Sequence, residues 1–198
     1  MAINQVYRNP SPYRSAREGL LKVLASIVNP QQLVAMANLA EATPDGAFVE
    51  VGVYHGGSAY HLYEVAVKQS RELHLFDTFT GTPYFTEGLD KHKIDEEFAD
   101  RDAPKHISHL MPLATLHVGI YPDTHPNDLA PIAFIHCDCD QYLSYCAVIQ
   151  HLWPLVVSNG ILLFDDYPYL DGAKKAVEEN FSVNELRQCL GRYYVVKH

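Results

Sequence analysis

The feature that most constrains the fold is a repeated alternation between short apolar runs and segments with helical spacing. Apolar runs occupy 46–53, 73–76, 114–118, 132–137 and 160–164, and two shorter runs follow at 183–186 and 193–197. Strands that alternate with helices form parallel sheets, because each helix returns the chain to the same edge of the sheet. The pattern therefore predicts an α/β fold with a mostly parallel seven-stranded sheet and helices on both faces.

The rest of the chain is interpreted around this sheet. The first 45 residues contain apolar positions at helical spacing, which the pair Asn29-Pro30 divides into two helices. Residues 78–109 are polar and rich in turn residues, which is typical of a lid inserted between strands. A length of 198 residues fits one domain, so we expect residues 1–198 to form a single unit.

Composition excludes several classes of function. The formal net charge is -9 and no cluster of basic residues interrupts it, so nucleic acid is not an expected partner. No apolar run approaches the roughly 20 residues of a membrane span, and the first residues lack the apolar core of a secretory signal. These observations predict a cytoplasmic protein, in which the four cysteines are reduced.

A glycine-rich loop follows the first predicted strand. Gly52, Gly56 and Gly57 allow sharp turns and close approach of a ligand before a helix that begins near Ser58. Glu50 lies inside the apolar strand, where a carboxylate needs a donor or a cation, and a sulfonium or ammonium group would serve. The alternative is a simple strand-to-helix turn without a ligand.

Acidic residues end the other predicted strands. Asp77 follows the second strand, where its carboxylate could accept hydrogen bonds from two ribose hydroxyls. Asp138 and Asp140 follow the fourth strand, and Asp165-Asp166 follows the fifth, so carboxylates would converge if these strands are neighbours about 5 Å apart. Hard oxygen ligands of this kind suit Mg²⁺, Mn²⁺ or Ca²⁺. The alternative is that these side chains point apart into solvent.

Other candidate groups are weaker. Cys137 and Cys139 alternate with Asp138 along the strand, so we expect them to be core thiols rather than zinc ligands. His92, in the predicted lid, could reach the hydroxyl group of an acceptor, although a lid histidine is more often an ordinary surface residue.

Five segments, taken in order, resemble the macrocin O-methyltransferase family, which comprises metal-dependent sugar O-methyltransferases of antibiotic pathways. The segments are EVGVYHGGS (50–58), DTFTGTP (77–83), GIYPDTHP (119–126), CDCDQYLS (137–144) and GILLFDDY (160–167). The resemblance implies a Rossmann-like methyltransferase fold that binds S-adenosylmethionine. One departure is Cys139, which stands where the family usually has glycine.

The resemblance also implies roles for individual residues. Asp138, Asp165 and Asp166 would hold Mg²⁺ or another hard divalent cation, and Asp140 would be the general base, with His92 as the alternative. The residues expected to bind the cofactor are Glu50, Gly52, Tyr54, Gly56, Gly57, Ser58, Asp77, Phe79, Gly119 and Asp138.

The expected function is methyl transfer to a hydroxyl group of a small molecule that is glycosylated or polyhydroxylated. Two alternatives stay open at this point. A glycosyltransferase also uses an Asp-x-Asp motif to hold a metal, although it leaves the glycine loop and the second aspartate pair unexplained. A noncatalytic binding module could retain the fold. Homodimer formation is open as well.

Overall fold

The computed structural model describes residues 26–93, 98–129 and 131–198. Within these ranges the chain forms seven strands and five α-helices. The strands are β1 Ala47–Val51, β2 Leu73–Asp77, β3 Thr115–Val118, β4 Ile132–Cys137, β5 Val156–Phe164, β6 Arg187–Cys189 and β7 Arg192–Val196. The helices are α1 Pro30–Glu41, α2 Gly57–Gln69, α3 Ala103–Leu110, α4 Tyr142–Leu152 and α5 Asp171–Asn180, with short 3₁₀ turns at Trp153–Leu155 and Val183–Glu185.

The seven strands form one mixed sheet in the order β3-β2-β1-β4-β5-β7-β6. The first five are parallel to one another, whereas β7 runs antiparallel to both β5 and β6. The predicted mostly parallel sheet is therefore confirmed for five strands. The last two form a hairpin because only Leu190 and Gly191, both with positive φ, connect them.

The last predicted runs differ from the structure in detail. Residues 183–186 were expected to contribute a strand, but Val183–Glu185 is a 3₁₀ turn. Ser182 and Glu185 close it with a reciprocal capping box, which satisfies backbone groups locally instead of through a sheet. The strand begins only at Arg187.

Helices cover both faces of the sheet, as predicted, because successive strand residues point to opposite sides. Ala47, Val49 and Val51 of β1 pack in a core with residues of α4 and α5. Phe48 points the other way, into a second core that contains residues of α1, α2 and α3. Among the described residues, no helix combines the length and hydropathy required to cross a bilayer.

The chain order of the strands reverses between β1 and β4. From β1 the sheet continues through β2 and β3 on one side and through β4 and β5 on the other. At such a switch point the connections diverge and leave a crevice outside the carboxyl ends of the strands. The fold therefore places the glycine loop and the acidic strand ends around one crevice.

The segments flanking the sheet are only partly described. Helix α1 confirms the second predicted N-terminal helix, and the Asn29 side chain caps it by accepting a hydrogen bond from the Gln31 amide at 2.8 Å. The first predicted helix lies outside the described residues. Residues 78–93 are an irregular segment with a turn at 87–89, whereas α3 packs into the core through the fully buried Ile107. Movement of 78–109 as a lid stays a prediction.

Gly52 lies where the chain that follows β1 comes very close to the chain that follows the parallel strand β4. The Asp138 amide donates a hydrogen bond to the Val51 carbonyl at 2.9 Å, which brings the β4 terminus against the β1 terminus. A Cβ on Gly52 would overlap the carbonyl oxygen of Asp138, and the φ of Gly52 is +91°. The packing of the protein itself, rather than a ligand, therefore requires glycine at this position.

The close contact between Gly52 and the Asp138 carbonyl predicts how a substitution at Gly52 changes stability. We expect Gly52→Ala to lower the free energy of unfolding by at least about 3 kcal/mol, because it adds a backbone clash to the strain of positive φ. Gly88→Ala is the matched control, since Gly88 has a φ of +78° but no atom within 4 Å of the position that a Cβ would occupy. The control should lose only about 1 kcal/mol. Urea denaturation measures both, and equal losses would contradict the packing argument.

Candidate active site

One cavity of about 430 Å³ opens at the carboxyl ends of the parallel strands. Ten of the residues predicted for the site line it: Gly52, Tyr54, Gly57, Ser58, Asp77, Gly119, Asp138, Asp140, Asp165 and Asp166. Four others do not: Glu50, Gly56, Phe79 and His92. The sequence thus predicts most of the charged lining, but not every contact of the loops.

Asp77 organises the glycine loop. Its Oδ2 accepts hydrogen bonds from the backbone amides of Val53 at 2.6 Å and Tyr54 at 2.8 Å, and its Oδ1 accepts one from the Phe79 amide at 2.6 Å. A carboxylate has about four acceptor positions, so three are used within the protein. The strand-end carboxylate therefore has a structural duty that its position in the sequence does not reveal.

Phe79 and Gly56 lie outside the cavity lining and contact the residues packed behind it. Phe79 has a φ of 55° and is 2% exposed, because its ring packs into the core beside α2 instead of facing a cofactor. Gly56 caps α2 in a left-handed conformation, and a Cβ there would lie 3.1 Å from Met111 Cε. Both residues shape the loop that presents Gly57 and Ser58 to the cavity.

Glu50 was expected to pair with a cation of the cofactor, but its partner lies within the protein. Glu50 is fully buried, and its Oε1 lies 2.7 Å from Nδ1 of His136, which is also fully buried. Oε2 has no hydrogen-bond partner among the described residues. Burial alone would lower the pKa of His136, but the hydrogen bond and negative charge of Glu50 raise it above its usual value. The contact with Glu50 therefore favours the protonated form of His136.

A polar row continues from this pair across the sheet. His136 Nε2 lies 3.1 Å from Asp165 Oδ1, and the guanidinium of Arg192 binds the same oxygen. Asp138 joins His136 and Asp165 in a group whose ligand atoms all lie within 4.8 Å of one another. Sequence reasoning missed Arg192 and the bridging role of His136, because neither belongs to an acidic motif.

Asp166 faces the other side of the sheet end. Its Oδ2 accepts hydrogen bonds from the Tyr145 hydroxyl at 2.9 Å and from the Asp140 amide at 3.1 Å. The structure therefore brings Asp138 and Asp165 together with His136, whereas Asp166 lies outside that group of three. Tyr145 is a second residue that sequence reasoning did not identify.

The carboxylates at this edge repel one another. Desolvation, followed by the charge of Asp166, raises the pKa of Asp138 well above its usual value. Desolvation and the charge of Asp140 raise the pKa of Asp166 to about 7. Carboxylates that resist ionisation in one another's company are a donor set that a hard divalent cation would stabilise. The residues present therefore fit such an ion.

The two candidate bases differ in position. Asp140 lines the cavity, and its φ of 59° turns the chain where β4 passes into α4. The His92 ring lies outside the lining and packs edge-on against Phe98, with 5.1 Å between ring centroids, while Phe98 itself lines the cavity.

The cysteines are free thiols, as predicted. Cys137 is buried, with its Sγ 3.6 Å from that of Cys139. Cys139 lies beyond the end of β4 and is half-buried, and it packs against the hydrophobic core while also lining the cavity. Desolvation raises the pKa of the Cys139 thiol well above its usual value, and among the described residues the group of possible metal ligands contains no cysteine.

The raised pKa of Asp166 predicts how stability depends on pH without divalent cations. Between its unfolded pKa of 3.8 and its folded pKa of about 7, the folded state binds the extra proton, so stability falls as pH rises through this window. We expect the melting temperature to be higher at pH 6 than at pH 8. Asp166→Asn should raise it at pH 8 and flatten the difference.

Calorimetric scans in chelator at the two pH values test this prediction. His117 and His125 have lowered pKa values, mainly through desolvation, and they destabilise the fold only as pH falls below about 6.5. They oppose the effect of Asp166 in that range, so the difference between variant and wild type is the informative quantity. An unchanged slope in Asp166→Asn would contradict the assignment.

The chain is similar in sequence to a known O-methyltransferase. The 8-demethyl-8-(2,3-dimethoxy-alpha-L-rhamnosyl)-tetracenomycin-C 4'-O-methyltransferase of Streptomyces olivaceus is 28% identical over 163 residues, covering 71% of this chain and 59% of that protein. The chain thus spans about three fifths of the length of the curated relative it matches.

Solved structures share the fold at low identity. The O-methyltransferase NovP superposes with a TM-score of 0.73 at 20% identity, covering 87% of this chain and 81% of NovP. CalS11, a calicheamicin methyltransferase, gives a TM-score of 0.73 at 18% identity, covering 99% of this chain and 98% of CalS11. An O-methyltransferase from Bacillus cereus, solved with S-adenosylhomocysteine (SAH), gives 0.62 at 16% identity, covering 96% and 93%.

A family model described as "Methyltransferase domain" matches residues 49–167, which run from β1 to the end of the Asp165-Asp166 segment. This span includes the glycine loop, Asp77 and the four aspartates that follow β4 and β5, which we call the acidic edge: Asp138, Asp140, Asp165 and Asp166. The match is to this broad family, so the narrower macrocin resemblance stays a prediction. With more than half of its length matched, the chain belongs to the methyltransferase-domain family.

Proposed function

We propose that the protein is an S-adenosylmethionine-dependent O-methyltransferase that modifies a hydroxyl group of a small, sugar-containing molecule with the help of a divalent cation. The observation that carries the proposal is the division of one cavity into two chemically different halves. The glycine loop and Asp77 form one half, and the aspartates after β4 and β5 form the other. Methyl transfer needs a cofactor and an activated hydroxyl side by side.

The glycine-loop half suits the cofactor. Gly57 and Ser58 begin α2 and line the cavity, so free amides and the positive end of the helix dipole face it. These groups attract a carboxylate such as that of the methionine moiety. Asp77 retains about one acceptor position for a ribose hydroxyl. Glu50 contributes by fixing the strand rather than by contact.

The acidic half suits a hard cation and a hydroxyl group. Asp138 and Asp165 would hold the ion, with Asp166 as the third carboxylate. His136 is the third member of the group of possible ligands, but each of its ring nitrogens already has a carboxylate partner, so we propose the carboxylates rather than His136 as the ligands. When bound, a divalent cation supplies a Lewis acid that lowers the pKa of an acceptor hydroxyl.

Asp140 is the proposed general base. In the reaction, the acceptor oxygen forms a bond to the methyl carbon as the carbon–sulfur bond breaks, and the hydroxyl proton passes to the Asp140 carboxylate. Asp140 lines the cavity two residues beyond Asp138, so its carboxylate lies beside the proposed metal ligands. Residues that line the cavity would accelerate methyl transfer further by holding the reacting atoms in line and by excluding water.

The sugar acceptor is proposed from the relatives. The Streptomyces olivaceus protein is named for methylation of a rhamnosyl group, and CalS11 is named as a calicheamicin methyltransferase. The glycosyltransferase alternative loses its support, because the family match covers the Asp-x-Asp segment within a methyltransferase domain. Homodimer formation stays a prediction.

Binding measurements test the two halves separately. We expect SAH to bind wild-type protein in calorimetric titration with or without chelator, because the glycine loop and Asp77 follow β1 and β2, whereas the proposed metal ligands follow β4 and β5. Asp77→Ala should weaken binding by about tenfold or more and also lower stability, since three amides lose their acceptor. Asp128→Ala, an exposed carboxylate, is the control. Wild-type protein that binds no SAH would contradict the proposal.

Asp140→Asn tests the base. We expect the variant to keep its affinities for SAH and Mg²⁺ while turnover with a screened glycoside falls by about 10² to 10⁴, the usual contribution of a general base. Release of SAH in a coupled assay measures turnover. If metal affinity falls instead, Asp140 is a ligand, and full turnover in excess chelator would remove the cation from the proposal.

A further inference from the structure

Arg192 is the cation that the fold builds into the acidic edge. It begins β7, is 7% exposed, and lines the cavity with its guanidinium on Asp165 Oδ1. Its Nε has no hydrogen-bond partner among the described residues. It is also the only lysine or arginine among the described residues that line the cavity.

The register of the terminal hairpin fixes this contact. Phe164 pairs with Tyr193 in the antiparallel ladder, so the next pair in register is Asp165 with Arg192. Cys189 pairs with Arg192 on the other side, and the two-residue turn between them leaves little slack. Arg192 therefore lies opposite Asp165 as a consequence of strand pairing, and not through a chance surface encounter.

The acceptor capacity of Asp165 is divided by this arrangement. Oδ1 takes both His136 Nε2 and the Arg192 guanidinium, which leaves Oδ2 for a further ligand. A guanidinium has donors only and stays charged, so it competes with a metal ion for the same carboxylate and repels the ion. The repulsion between the Arg192 guanidinium and a divalent cation is twice that for a monovalent cation at the same distance, because the energy is proportional to the product of the charges.

We propose that Arg192 is the resident counter-ion of Asp165 and sets the affinity of the acidic edge for divalent cations by opposing them. The inference rests on the cation binding in the proposed function and deepens it. A divalent ion then binds only by sharing Asp165 with a fixed positive charge. The hairpin that ends the sheet thus tunes the metal affinity.

If Arg192 instead served to position Asp165, replacing it would lower the affinity for metal rather than raise it. Loss of a group that orients a ligand typically lowers metal affinity about 10- to 100-fold. Here His136 continues to hold Asp165 Oδ1 when Arg192 is replaced, and glutamine can still donate one hydrogen bond. Orientation is therefore largely kept in Arg192→Gln, and the lost charge dominates the effect.

The test is calorimetric titration with MnCl₂ alone, performed on the 198-residue chain saturated with SAH. We expect Arg192→Gln to bind Mn²⁺ at least about tenfold more tightly than wild type, because one positive charge has been removed. Arg192→Lys keeps the charge and should stay within about threefold of wild type. Arg187→Gln, an exposed arginine on the same hairpin, should do the same and controls for overall charge.

Two further readouts separate the counter-ion role from a structural one. Without metal, Arg192→Gln should melt at a lower temperature than wild type. Mn²⁺ should then raise the melting temperature of the variant by more than it raises that of wild type. SAH affinity should be unchanged in all variants. If Arg192→Gln does not fold, Arg192→Met, of similar length and without donors to satisfy, carries the same expectation.

The outcomes are distinct. Equal or weaker Mn²⁺ binding by the uncharged variants overturns the inference, even if wild type binds Mn²⁺ and the proposed function stands. Tighter binding by Arg192→Lys as well as Arg192→Gln overturns it too, because charge would not be the cause. Failure of wild type to bind SAH contradicts the proposed function separately, since that measurement does not involve Arg192.

Discussion

The buried ion pair between Glu50 and His136 is the interaction on which the site depends. A carboxyl group in the central strand, with no exposure to water, needs a hydrogen-bonding partner, and His136 lies directly opposite it in the β1–β4 pairing. Because His136 also binds Asp165, and Arg192 binds Asp165 in turn, one row of charges crosses four strands. The row aligns the strand ends that carry the proposed chemistry.

Two consecutive aspartates end β5 and serve different environments because strand residues alternate. Asp165 lies on the side of the sheet that holds the ionic row, whereas Asp166 turns toward α4 and is held by Tyr145. Asp140 is tied to Asp166 through its backbone amide. The aspartates are therefore supported by different elements, and a change at one face need not disturb the other.

The sequence predicts the parts of this protein that obey local rules. Apolar runs bounded by glycine or aspartate indicated the five parallel strands, and strand-end acids indicated most of the cavity lining. What it does not reveal depends on contacts between distant segments. Position 52 requires glycine because the Asp138 carbonyl lies against it, and Glu50 can be buried because His136 lies opposite. Arg192 reaches the site only through the register of the terminal hairpin. None of these leaves a pattern within one segment.

The same long-range contacts determine how cations and protons compete at the acidic edge. In the absence of a divalent ion, Arg192 offsets part of the negative charge, and the raised pKa values of Asp138 and Asp166 mean that protons offset more of it. An entering cation must then displace protons from carboxylates, so its apparent affinity rises with pH. Because the same ionisation destabilises the metal-free fold, cation binding and stability are linked through one set of side chains. A base such as Asp140 works in this setting only when the surrounding charge is balanced, which connects the buried ion pair in the centre of the sheet to the proposed chemistry at its edge.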